Sequence, residues 1–394
     1  ARELLASDPV RQAADLIRRW DERTLGWQAE LTEIPAPPYG EEARAARMAE
    51  LFEDAGLAAP EIDQEGNVLA LLDGPGGGSP LILSAHLDTV FPAGTDVRVR
   101  REGGRLEGPG ISDDGRGLAA LVTLARTLVR GPVAPARPLL FAATVGEEGS
   151  GDLRGVRHLF REDGPGSGAR GFVSLDGAGT SRLVTMGLGS RRYRVHARGQ
   201  GGHSWVDFGT PNPIHALGRL VAGVAALELP EDPATSLTVA RWSGGTSINA
   251  IPREAWVEME IRSEEPDPLE TLDREMRRLL EQSLARVNEG APEGARPVEA
   301  QIECIGNRPA GITRPDSPLV RAAAAATRAL GARPELAVSS TDANIPMTLG
   351  IPALTMGAGG EAGNAHTTDE WYQNENGPNG IVRAVLTVLL LEEL

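Results

Sequence analysis

Residues 81–92 read LILSAHLDTVFP. A Gly/Pro-rich turn, GPGGGSP at 74–80, opens onto a short apolar run that ends in a histidine and an aspartate two positions apart. Side chains two apart along an extended strand share a face, so His86 and Asp88 are predicted to lie side by side where the strand leaves the core. A near-continuous apolar run is how a strand buried on both faces reads, and such strands belong to parallel sheets covered by crossover helices. Ligands of these sheets bind beyond the carboxyl ends of the strands.

Working outward, three more runs have the same texture: NVLALLD at 67–73, RPLLFAATV at 137–145 and RGFVSLDG at 170–177. Between them RGLAALVTLARTLVRG, at 116–131, repeats Leu118, Leu121, Val122, Ala125, Leu128 and Val129 at helical spacing and stops at Arg130-Gly131. The fold class expected is α/β with a mostly parallel sheet. Near residue 188 the texture changes to the edge-like SRRYRVHARG at 190–199, a helical NPIHALGRLVAGVAALEL, strands around SINAIPREAWVEMEIRS, and the charged helix DPLETLDREMRRLLEQSLARV. These predict a separate α+β unit. After NEGAPEGARP at 288–297 the strand and helix signals resume. The expected organisation is a first domain of residues 1–187 and 305–394, interrupted by an inserted lid of 188–304.

Composition narrows the function. The chain has 394 residues, enough for more than one core, and 39 Lys+Arg against 55 Asp+Glu give a net charge of −16. No basic cluster interleaved with aromatics is present, which argues against nucleic acid. The single cysteine, Cys304, excludes an intrachain disulfide and a thiolate metal site. No apolar run approaches the roughly 20 residues that span a bilayer, and ARELLASDPV lacks the features of a secretory signal, so a cytoplasmic location is expected.

The candidate chemistry gathers at one sheet edge. LILSAHLD ends in His86 and Asp88, LLFAATVGEE in Glu147 and Glu148, and GFVSLDG in Asp176, while GPGISDDGRG adds Asp113 and Asp114 just before a helix. Each alone reads as a turn, a cap or a solvated acid. Together they would repel unless a cation neutralised them. Imidazole and carboxylate donors without sulfur suit zinc, cobalt or manganese, and two metals about 3.5–4 Å apart need a bridging carboxylate.

The set SAHLDTV, GPGISDDGRG, GEEGSGDLRG, SLDG, GGHSW and NAHTTDEW, in that order and spacing, resembles the M20 family of metallopeptidases and amidohydrolases, the group of carboxypeptidase G2, aminoacylase, succinyl-diaminopimelate desuccinylase and peptidase T. The resemblance implies a zinc-peptidase-like catalytic domain with an inserted ferredoxin-like lid and two divalent metal ions, zinc first, with cobalt or manganese as alternatives. It implies that His86, Asp113, Glu148, Asp176 and His366 are metal ligands, with the Asp113 carboxylate bridging, the Asp113–Asp114 peptide bond cis, and Asp88 orienting His86. Glu147, left without a metal, is expected to be the general base. His203 is expected to stabilise the oxyanion, and Asn249 and Arg308 to contact the substrate, Arg308 through a free carboxylate. Thr341 and Asp342, in SSTDANIP at 339–346, are weaker pocket candidates.

One departure is visible: many relatives read Asp-Asp-Lys-Gly-Gly where this chain has Asp113-Asp114-Gly115-Arg116-Gly117. The activity implied is hydrolysis of an amide bond in a small peptide or N-acyl amino acid by an enzyme that dimerises through its lid. Two rivals are an inactive scaffold of the same fold, which would have lost the base or a ligand, and a two-metal phosphoesterase, which would carry phosphate-clamping Arg or Lys near the ligands and has no GK[ST] loop here.

Overall fold

The computed structural model describes residues 1–393. They divide into two compact units, one formed by residues 1–187 and 312 onward, the other by Leu188–Gly311. In the first unit the large sheet includes β1 (Glu61–Ile62), β2 (Val68–Leu72), β3 (Leu81–His86), β4 (Leu139–Thr144), β5 (Gly171–Leu175), β6 (Arg182–Gly187), β7 (Glu335–Ser339) and β8 (Ala353–Met356). Their order is β1-β2-β4-β3-β5-β8-β6, with β7 paired to β6. The four central strands β4, β3, β5 and β8 run parallel, and β2 and β6 join them antiparallel.

Every residue of β3, β4 and β5 is buried, and alternation divides them between two cores. Leu83, Phe141 and Val173 pack on one face with Leu118, Leu121 and Val122 of the helix α1 (Gly115–Arg130). Ile82, Leu140 and Phe172 pack on the other with Val156, Leu159 and Phe160. Each fully buried Leu or Phe contributes about 1.5–3 kcal/mol. Helices on both faces leave the carboxyl rim of the sheet as the place where polar groups can emerge.

The second unit is a four-stranded antiparallel sheet in the order Thr235–Gly244, Glu254–Ser263, Gly189–Arg198, Glu299–Arg308, with the helices Pro213–Ala225 and Pro266–Asn288. In chain order this is β-α-β-β-α-β, the ferredoxin-like arrangement. Tyr193, Val195, Val257 and Ile261 pack with Leu217, Leu220 and Met276 of the helices. The segment 190–199, edge-like in sequence, is instead an inner strand paired along both sides. Its charges sit on the face away from the helices, where Arg192 bonds Glu260 at 2.8 Å and Arg194 bonds Glu258 at 2.9 Å across the sheet. The return expected at residue 305 falls inside the strand Glu299–Arg308, whose pairing with Ser190–Arg198 keeps it in this unit. Among the described residues no helix is long and apolar enough to cross a membrane.

Candidate metal centre

The site is assembled where β3, β4, β5 and α1 meet. β3 ends at His86, which is buried. Asp113 and Asp114, joined by a cis peptide bond, lead into α1. The carboxylate of Asp114 caps that helix by accepting the Gly117 N–H at 2.9 Å, and it also accepts the N–H of His86 at 3.0 Å and of Gly177 at 3.3 Å. One buried acid thus ties two strand ends to a helix start. A Cβ at residue 117 would lie 2.1 Å from Asp114 Oδ1 and 2.2 Å from the Leu175 carbonyl, so only glycine fits there.

Asp113 presents one oxygen to each of two histidines. Its Oδ1 is 2.9 Å from His86 Nε2, and its Oδ2 is 3.0 Å from His366 Nε2. His366 Nε2 is also 2.8 Å from Glu148 Oε1. Donor atoms of His86, Asp113 and Glu148 all lie within 4.8 Å of one another. Asp176 follows β5, its N–H bonded to the Met356 carbonyl at 3.1 Å, and lines the same cavity as Asp113.

Without a cation the cluster is electrostatically uncomfortable. Burial, then the Asp113 charge, push the Asp176 carboxyl up to about 7. Hydrogen bonds to Asp113 and Glu148 raise His366 to about 11. Burial alone would lower the His86 pKa; the Asp113 and Asp88 carboxylates overcome it and raise it well above the ordinary imidazole value. Protons are thus held where imidazole nitrogen and carboxylate oxygen converge, the donor set that suits zinc, cobalt or manganese. These residues fit a divalent metal.

Asp88 stands beside His86: the ring Nδ1 is 3.0 Å from the Asp88 backbone carbonyl and 3.7 Å from its carboxylate. The carboxylate also accepts the N–H of Glu147 at 2.9 Å and of Glu148 at 2.8 Å. It holds the loop that carries both glutamates, which are themselves buried.

Three expected residues belong to the second unit. His203 lies on the short strand Gly202–His203, paired with Ala250–Ile251. Its Nδ1 accepts the N–H of Trp205 at 3.2 Å and of Val206 at 3.4 Å, an arrangement that selects the tautomer with its proton on Nε2. Asn249 accepts from Ser247 Oγ at 2.6 Å through Oδ1, and Arg308 is buried at the end of its strand. In the first unit Asp342 is buried, and Thr144 Oγ1 donates to it at 2.6 Å. Arg116, at the departure from the usual motif, turns away from the donors: it bonds the carbonyls of Ala358 and Gly377 at 2.9 and 2.8 Å and lies over the Tyr372 ring.

Glu370 was not anticipated as a site residue. Its Oε1 accepts Ser112 N, Ser112 Oγ and Asp113 N at 2.8, 2.6 and 2.9 Å, and its Oε2 accepts Gly110 N at 2.9 Å. It therefore fixes the backbone from which Asp113 projects. Glu370→Gln, which replaces one acceptor oxygen by a donor, is expected to weaken metal retention about 10–100-fold in a competitive chelator titration. Unchanged retention would show that Asp113 holds its position without it.

Comparison with known proteins agrees with this geometry. Residues 82–389 match the model of peptidase family M20/M25/M40. The chain is 29% identical over 349 residues, 87% of its length and 91% of the relative's, to a protein of Mycobacterium tuberculosis named as a candidate succinyl-diaminopimelate desuccinylase, DapE. It is 29% identical over 289 residues, 65% of its length and 57% of the relative's, to the cytosol non-specific dipeptidase of Escherichia coli. In fold it resembles the YXEP protein of Bacillus subtilis, described as a dinuclear metal-binding peptidase, with a TM-score of 0.69, 18% identity, and coverage of 96% of this chain and 100% of that one. A hydrolase with a His/Asp/Glu centre on this two-unit fold, the chain belongs to peptidase family M20/M25/M40.

Proposed function

We propose that the protein hydrolyses an amide bond of a small peptide or N-acyl amino acid carrying a free carboxylate, using two divalent ions. The observation that carries this reading is Asp113, whose two oxygens face two histidines on opposite sides. His86 and Asp176 would hold one ion, Glu148 and His366 the other, and Asp113 both. Zinc is the first choice, with cobalt or manganese alternatives. When bound, such ions polarise a carbonyl and lower the pKa of water.

The protein's own groups supply the rest. The Glu147 carboxylate takes the proton of the attacking water and returns it to the departing nitrogen. His203 Nε2–H donates to the carbonyl oxygen as negative charge develops there. The Arg308 guanidinium receives the substrate carboxylate in a two-pronged bond, and Asn249 offers its amide N–H. The names of the relatives, a desuccinylase and a dipeptidase, support amide cleavage. We further place the protein in the cytoplasm, as a homodimer joined through the Leu188–Gly311 unit.

A panel of dipeptides, tripeptides and N-acyl amino acids, offered to protein loaded with zinc, cobalt or manganese, tests this. Turnover of one class, lost on chelation and restored by metal, is expected. Protein holding two equivalents of metal that cleaves none of them would sink the proposal.

A further inference from the structure

The rim of the sheet opens on a cavity of about 560 Å³. Asp113 and Asp176 line it at the metal centre, and Val184, Met356 and Trp371 contribute apolar wall. Arg182 is the one basic residue in its lining. That arginine begins β6, and alternation puts it on the same face as Val184. β6 pairs with β8, and β8 with β5, so Arg182 stands two strand spacings, about 10 Å, from the strand that leads to Asp176.

Arg182 is exposed, so its guanidinium can meet a ligand from solvent. Arg182 donates from Nη2 to the Val338 carbonyl at a long 3.4 Å, and among the described residues it forms no ion pair. Some other arginines of this chain are held by acids, as Arg154 is by Glu41 and Glu65 at 2.7 and 3.0 Å, and others by carbonyls, as Arg116 is. A cation without a protein counter-ion, on the wall of the cavity that Asp113 and Asp176 also line and beside Val184 and Met356, is complementary to an anion at the end of a short aliphatic arm.

We propose that Arg182 is a specificity-determining residue that binds a carboxylate on one arm of the amide substrate. This rests on the reading of the adjoining centre as hydrolytic. Glu361 also lines the cavity and is the competing charge; it would favour an ammonium-bearing arm instead.

The zinc-loaded wild type and Arg182→Ala are compared on two series. N-succinyl-L-alanine against N-butanoyl-L-alanine probes the acyl arm, and N-acetyl-L-glutamate against N-acetyl-L-glutamine probes the amine arm. In one series the substitution is expected to reduce the preference for the charged substrate, as a ratio of kcat/KM, about 10–100-fold, mainly through KM. Arg182→Lys should restore part of it. Calorimetry should show free succinate or glutarate binding more weakly to Arg182→Ala by the same order, a readout that needs no turnover. Unchanged preference in both series, with unchanged succinate and glutarate binding, overturns the inference. So does a preference of the wild type for N-acetyl-L-lysine over N-acetyl-L-norleucine, which would assign the cavity to Glu361. If the wild type cleaves no amide, the hydrolytic reading falls while the calorimetry still judges Arg182.

Discussion

Glu147→Gln is expected to keep its metal content and lose about 10²–10⁴-fold in kcat. The amide has nearly the carboxylate's shape, and the contact that anchors residue 147 to Asp88 is made by the backbone N–H, which the substitution leaves in place. Glu148, anchored in the same way through its own N–H, keeps its carboxylate toward His366. The capacity to accept a proton is removed. Metal analysis beside steady-state kinetics checks both halves of the statement, and near-normal turnover would remove Glu147 from the role of base. A loss of metal would show that its carboxylate is a ligand after all.

The second large effect is expected from Asp113→Asn. The wild-type carboxylate faces His86 with one oxygen and His366 with the other, and both imidazoles would have to share it with the ions. An amide offers one acceptor and one NH2 donor, so one of the two histidines loses its negative partner whichever way the group turns. Metal affinity should fall by more than the about 10–100-fold typical of residues that only support a ligand, and activity should be undetectable at equimolar metal. Binding of two equivalents with wild-type affinity would exclude Asp113 as the shared ligand.

Much of this molecule is legible in its sequence, for reasons that are local. The buried strands announce themselves as continuous apolar runs, and α1 by the recurrence of Leu118, Leu121, Val122, Ala125 and Leu128. His86, Asp113, Glu148 and Asp176 stand at the ends of those elements, so placing the elements places the residues. His366 lies on no such element; its backbone is left-handed, with φ 65°, and only the family pattern points to it.

What escapes the sequence is what depends on distant partners. Glu370 secures groups 257 to 260 positions earlier in the chain, and nothing in its neighbours signals that. Two-residue spacing pairs Asp88 with the histidine beside it but says nothing of a second set of partners. The strand ends at His86, and past its end the Asp88 carboxylate also reaches the loop after β4. Likewise Ser190–Arg198 carries arginines that suggest an edge, and only the acids of the neighbouring strand reveal that these charges are paired across a sheet face.

The double grip of Asp88 has an evolutionary corollary. Because one side chain fastens the peptide units of both glutamates, substitution at residue 88 would disturb the proposed base and the proposed metal ligand together, whereas substitution at residue 147 alone would leave the loop fastened. A lineage drifting toward a non-catalytic metal carrier would therefore be expected to change residue 147 rather than residue 88.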